Sequence, residues 1–136
     1  MAPNGDAFVM NPSAPEPPTR FAHARLAPTA PYRTIYISGI ACVHPATGEW
    51  PGVKDNGDGT YALDVRAQTA AVLSNIDLIV REATGGKGSV KNLIDSVVYV
   101  VFATRAEAPA RATIGVKELP DPRMLVEIKG VAVVEI

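Results

Sequence analysis

The chain has little of what most specialised function classes need. Its 136 residues carry thirteen Lys and Arg against fourteen Asp and Glu, a net charge of -1, and no basic block gathers the cations into a surface that neutralises phosphates. Non-specific nucleic-acid binding is thereby disfavoured. One cysteine, Cys42, cannot form an internal disulfide, and with His23 and His44 as the two histidines a structural zinc cluster has too few ligands. An intracellular, metal-free chain is expected. The best uncharged apolar run, Ser96 to Thr104, falls far short of the ~20 residues that span a bilayer. Pro3, Asn4, Gly5 and Asp6 supply neither the basic nor the apolar region of a signal peptide. The expectation is a cytoplasmic protein with no membrane partner.

What is present fits one compact domain. A mass of 14.3 kDa with 47% hydrophobic residues is enough to bury roughly two thirds of the unfolded surface. Pro3, Pro12, Pro15, Pro17 and Pro18 crowd the first eighteen residues among small and polar neighbours, a composition that cannot build a core. Residues 1–19 read as a flexible Pro-rich arm and 20–136 as the domain. A short strand is expected over 20–26, a bend at Pro28 to Pro31, and a stronger strand from Thr34 to Cys42. Gly39 interrupts that strand, marking a bulge or a close approach by another group. From His44 to Gly59 the Pro and Gly content predicts a loop or wide hairpin. Asn56-Gly57-Asp58-Gly59-Thr60 resembles the centre of a calcium loop, but Lys54 and Val65 would occupy its first and twelfth positions, where carboxylates are needed. A tight turn is expected instead.

Asp64 can cap a helix in which Val65, Val72, Leu73, Ile76, Ile79, Val80 and Ala83 recur every three or four positions, with Gly85-Gly86 as its stop. The run from Ile94 to Val101 is rich in β-branched residues without clean alternation, as for a strand covered on both faces. Arg111 to Val116 forms a further strand, Leu119-Pro120-Asp121-Pro122-Arg123 a turn, and Met124 to Val134 a last long strand. The order and types predict an α+β domain with one mixed β-sheet and helix on one face.

Three stretches resemble the YjgF/YER057c/UK114 proteins, the RidA family of enamine and imine deaminases. They are Tyr36-Ile37-Ser38-Gly39; Gln68-Thr69 with Leu73 and Asn75-Ile76; and Pro109-Ala110-Arg111 through Leu119-Pro120 to Val126-Glu127-Ile128-Lys129. Generic members carry Gly-Pro-Tyr-Ser near the first strand, where this chain has Arg20-Phe21-Ala22-His23-Ala24-Arg25. That segment, Leu63-Asp64-Val65-Arg66-Ala67-Gln68-Thr69 and the 119–129 stretch look like the 2-aminomuconate deaminase branch. The resemblance implies a chorismate-mutase-like fold and a homotrimer with sites between subunits. It also implies hydrolytic deamination of a small carboxylated enamine or imine without metal or organic cofactor. Rival readings are a broad 2-aminoacrylate-type deaminase and, in another class, a non-catalytic small-molecule-binding trimer or an RNA-acting translation inhibitor. The balanced charge argues against RNA.

One departure from the family is large. Its members place a second helix, bearing a functional Asn, where Val101 here runs directly into Phe102-Ala103-Thr104. Losing a core helix would uncover a sheet face and forfeit many kcal/mol at ~25 cal/mol per Å2. The expectation is therefore that residues are missing from the sequence at this point rather than from the fold, with a true deletion as the alternative.

The resemblance and the residue chemistry together nominate a site. Arg111 suits a substrate carboxylate because its planar guanidinium offers two parallel hydrogen bonds. Glu127 lies within the apolar run Leu125-Val126-Glu127-Ile128, where burial would raise its pKa toward the range of a general acid or base. If Arg111 and Glu127 sat in one hairpin centred on Asp121, they would be about 13 Å apart. They would then serve opposite ends of a long substrate, or meet between neighbouring chains. Thr113 shares the strand face of Arg111 and is a candidate for binding substrate or water. The backbone at Gly39 and Ile40 is a candidate for receiving the anchored carboxylate, since glycine permits close approach. His23 is a candidate for the second carboxylate or a proton. Cys42 is expected to be a small buried hydrophobe, and His44 to be solvated.

Overall fold

The computed structural model describes residues 2–10, 13, 22–101 and 114–136. The expected helix is there as α1, Val65–Ala83, and its ends follow from side-chain and backbone chemistry. Asp64 is extended, and its carboxylate accepts the N–H groups of Arg66 at 2.9 Å and Ala67 at 3.0 Å, satisfying two donors that the first turn leaves open. At the other end Gly85 and Gly86 take positive φ values of 60° and 86°, and the Gly86 N–H returns to the Arg81 carbonyl at 2.8 Å. The buried stripe is narrower than the apolar spacing suggests. Val72, Ile76 and Val80 are fully enclosed, whereas Val65 and Leu73 are exposed. Gln68 and Asn75 complete the buried face.

The main sheet contains β3 (Tyr32–Ile40), β6 (Leu93–Val101), β7 (Ile114–Val116) and β8 (Val126–Glu135), in the spatial order β3-β8-β6-β7. Two smaller ribbons stand apart, β1 (Asp6–Phe8) with β2 (Ala24–Leu26), and β4 (Val53–Asp55) with β5 (Tyr61–Leu63). The latter is the expected wide hairpin. Its turn is closed by an Asn56 N–H to Thr60 carbonyl bond of 3.1 Å, and Asp58 accepts the Thr60 N–H at 2.9 Å. β8 runs antiparallel to both neighbours, and β6 runs parallel to β7. The sheet is mixed, as expected, with α1 packed across β3 and β8.

The pairing corrects one expectation. β7 and β8 do not form a hairpin around Asp121, because β6 lies between them, and the 13 Å separation argued from that hairpin has no basis. Residues 102–113 join two neighbouring parallel strands, and a dozen residues is the short limit for such a crossover. They include the junction where the family's second helix was expected, and they lie outside the described residues.

Alternation along β8 separates the two faces of the sheet. Val126, Ile128, Ala132 and Val134 are buried on the α1 side with Ile37 and Val100. Glu127, Lys129 and Val131 point the other way, where no helix among the described residues lies. β6 is not covered on both faces as expected. Val100 is its one buried residue, and Asp95 and Ser96 are exposed.

Part of the stretch expected as an arm is held. Asp6–Phe8 pairs with Ala24–Leu26, Arg25 donates to the Asn4 side chain at 2.6 Å and the Gly5 carbonyl at 3.0 Å, and Asn4 donates to the Leu93 carbonyl at 2.7 Å. Pro12 to Arg20, apart from Ser13, lies outside the described residues.

Candidate functional site

Glu127 leaves β8 toward the side of the sheet opposite α1, where no helix lies among the described residues. Its cross-strand partner on β6 is Tyr99, and Tyr99 in turn pairs with Ile114 on β7, so the three side chains form one row on one face. Val126 and Ile128, the apolar neighbours that suggested an enclosed carboxylate, point into the core instead. Glu127 is half-buried rather than enclosed. Among the described residues its carboxylate has no hydrogen-bond or ion-pair partner.

On the other side of β8 the carboxylate lies against Gly39. The bulge expected at this glycine is present: Ile37 pairs with Gly130 and Ile40 with Ile128, so Ser38 and Gly39 together oppose one residue. A Cβ placed at Gly39 would sit 2.7 Å from Glu127 Cδ and 3.1 Å from Cγ, and closer still to Oε1. The space expected at Gly39 for a substrate carboxylate is therefore filled by the chain's own carboxylate. Ile40 re-enters the ladder and packs its side chain against the core.

The remaining candidates fall in different places. Arg111 and Thr113 lie outside the described residues. His23 is exposed beside β2. Its backbone N–H donates to the Phe8 carbonyl at 2.9 Å, and its Nδ1 accepts the Met10 N–H at 3.4 Å. Its hydrogen bonds thus close the β1–β2 ribbon. His44 is half-buried rather than solvated, its Nδ1 accepting the N–H groups of Ala46 and Thr47 at 3.2 and 3.1 Å. Cys42 is fully buried, as expected, and burial pushes its thiol pKa up.

Apolar periodicity missed the polar groups that hold the approach to Glu127. Gln68 donates to the Arg123 carbonyl at 2.8 Å and accepts the Leu125 N–H at 2.8 Å. Two bonds from one buried amide fix the chain on entry to β8. Asn75 donates to the carbonyls of Ala41, Cys42 and Val43 at 3.0, 3.3 and 3.0 Å, securing the exit from β3. Arg123 stacks on Trp50 with 3.8 Å to the ring centroid and forks onto Asp121 through bonds of 3.0 and 2.7 Å. That pairing holds the Asp121 carboxyl down at about 2. Beside this turn, Val101, Lys117, Leu119, Asp121, Met124 and Leu125 line a cleft of 710 Å3. Among the described residues no group of three His, Cys, Asp or Glu is placed to hold a metal ion, and no helix is long and apolar enough to cross a membrane.

Comparisons with known proteins place this geometry in a wider set. The family model described as Endoribonuclease L-PSP matches residues 13–134. A Rid-family protein from Yersinia pestis, YyfB, described as of unknown function, superposes with a TM-score of 0.64 at 27% identity, over 91% of this chain and 96% of that one. A putative endoribonuclease from Thermotoga maritima shares the fold at a TM-score of 0.52 and 23% identity, covering 96% of this chain and 98% of its own.

Proposed function

The chain belongs to the RidA/YjgF family, whose family model bears the description Endoribonuclease L-PSP, and from that premise we propose that it is a hydrolytic deaminase of carboxylated enamines and imines, with 2-aminomuconate as substrate. The observation that carries this reading is Glu127, a carboxylate with no partner among the described residues, on the sheet face opposite α1 and beside Gly39. A carboxylate so placed can accept a proton from water and return it, which is what hydrolysis of a C=N bond requires.

In the proposed reaction the enamine first tautomerises to its imine. Glu127 orients a water and takes its proton as the oxygen bonds to the C=N carbon. That proton passes to the nitrogen to give a carbinolamine, and the hydroxyl proton of this intermediate then moves through Glu127 to the same nitrogen as the C–N bond breaks, releasing ammonia and leaving the 2-oxo acid. One water is consumed and no electrons are transferred, so the chemistry calls for no redox partner. Arg111 anchors the substrate carboxylate, Thr113 binds substrate or water beside it, and His23 contacts the second carboxylate. The backbone at Gly39 and Ile40 borders the reacting end. The protein acts as a homotrimer whose sites lie between subunits, with the sheet face opposite α1, including the exposed Tyr36 and Ile114, turned toward neighbouring copies.

The test is to generate 2-aminomuconate enzymatically and follow loss of its ultraviolet band together with ammonia release. Wild type is expected to accelerate both, and Arg111→Ala and Glu127→Gln to lose most of the acceleration. No acceleration by wild type rejects 2-aminomuconate as substrate, and full activity in both variants rejects the site. Faster turnover of 2-aminoacrylate would move the substrate to the broader enamine class, and RNA cleavage without deamination would overturn the proposal.

A further inference from the structure

We infer that Gly39 is a positioning residue: the bulge at Ser38–Gly39 omits one side chain at the point where the Glu127 carboxylate is seated, and this vacancy sets where the carboxylate can act. The inference rests on the proposed deaminase reading and adds to it a residue that acts through Glu127.

Backbone conformation does not explain the glycine. Gly52, Gly85 and Gly86 have positive φ values of 72°, 60° and 86°, where a side chain would strain the backbone. Gly39 is not among the positive-φ glycines. Space explains it, because the three nearest atoms to an added Cβ all belong to the Glu127 side chain. Gly130 offers the contrast. A Cβ there would lie 2.9 Å from Leu93 Cδ2 and 3.0 Å from the Asp95 backbone carbonyl, so part of its obstruction cannot swing away. At Gly39 the obstruction is the free end of a flexible chain. A methyl group added there displaces the carboxylate and leaves the ladder standing.

The geometry around the seat gives that displacement a direction. β3 closes one side of Glu127 at Gly39, and Tyr99 stands on the other side across β8. The bulge makes two residues face one, which turns Gly39 toward Glu127 instead of continuing the alternation of β3. Proton transfer demands heavy-atom distances of about 2.6–3.2 Å, and a misplacement of about 1 Å can cost on the order of 10²-fold. A carboxylate pushed off Gly39 loses that alignment while the fold persists.

The experiment is a double-mutant cycle on the full chain with Gly39→Ala, Glu127→Gln and the pair. Gln has nearly the shape of Glu, so the crowding persists in both backgrounds while the base is present in only one. Gly39→Ala is expected to lower kcat roughly 10²-fold with little change in KM or thermal midpoint, and to cost nothing further once Glu127 is Gln. Equal losses in both backgrounds, or undiminished kcat in Gly39→Ala, would overturn the inference. A readout without substrate separates it from the reading it rests on: the 13C chemical shift of the Glu127 carboxylate, which reports its surroundings. Gly39→Ala is expected to move that signal. An unmoved signal in an active deaminase removes the seat and keeps the reaction, whereas a moved signal in a protein without deaminase activity keeps the seat and removes the reaction.

Discussion

The two faces of the main sheet are built on opposite rules. On the α1 side, Ile37, Ile128, Ala132 and Val134 meet Val72, Ile76 and Val80 with almost no exposed surface, and every polar intruder there is bonded. On the other side, Glu127, Lys129, Tyr99 and Tyr36 share the surface, Tyr36 is 81% exposed, and Glu127 has no partner among the described residues. One face is closed by packing and has nothing left to offer a ligand. The other carries a carboxylate with no partner among the described residues. The closely packed core and the carboxylate without a described partner are thus separated by the period-two alternation of a single strand, β8.

Substitutions can break or sharpen that contrast. Ile76→Ala removes a fully buried side chain and is expected to cost about 2–5 kcal/mol in denaturant unfolding, while a loss below about 1 kcal/mol would mean that the α1 face is not the core. Asn75→Ala strips a buried donor from the Ala41, Cys42 and Val43 carbonyls. Its expected cost is about 1–3 kcal/mol, read from the same curves. Tyr36→Ala, an exposed side chain on the face opposite α1, should change unfolding by no more than about 0.5 kcal/mol when measured on dissociated chains. A large loss there would erase the distinction between the faces.

The smallest effect belongs to Asp121. Its carboxyl is held at about 2, below the ordinary 3.8 of an aspartate, chiefly by the Arg123 side-chain hydrogen bonds. A depressed carboxyl contributes stability that is full above its unfolded value and is lost as pH falls through its folded one. Wild type should therefore lose stability between about pH 4 and about pH 2, and Asp121→Asn should lose less over that window. Solvent access screens the pair and keeps the difference small. Identical acid limbs in the two proteins would show that the pair contributes nothing.

Local rules made some of this visible in the sequence. The Asp64 cap, the Gly85-Gly86 stop and the Gly39 bulge each depend on a few adjacent residues, and each is found where the sequence places it. The strand order was not readable. Leu119-Pro120-Asp121-Pro122-Arg123 has the chemistry of a turn, but a turn does not say which strand its successor will join, and β8 pairs with β3 and β6 across long sequence separations. Gln68 and Asn75 entered the reading only through family resemblance, because apolar spacing cannot register a polar side chain buried to satisfy backbone groups. The first strand was obscured by neighbouring prolines that read as an arm. For the site, sequence and resemblance named Glu127 and Gly39, but their contact required the bulge to be seen in register with β8. Arg111 and Thr113 remain expectations of the sequence, carried into the proposal by resemblance.

The place of β8 also bears on how the molecule is made. It is an inner strand of the sheet, yet in the chain it follows β3, β6 and β7. During synthesis β3 and β6 emerge before the strand that joins them exists, and α1 has one of its two supporting strands to rest on. Closing the sheet awaits the segment from Val126 onward, so pairing across long sequence distances sets the pace of folding. Until then the unpaired edges of β3 and β6 are open to other chains. A ribosome paused before Val126 would hold a nascent polypeptide with a helix but no continuous sheet.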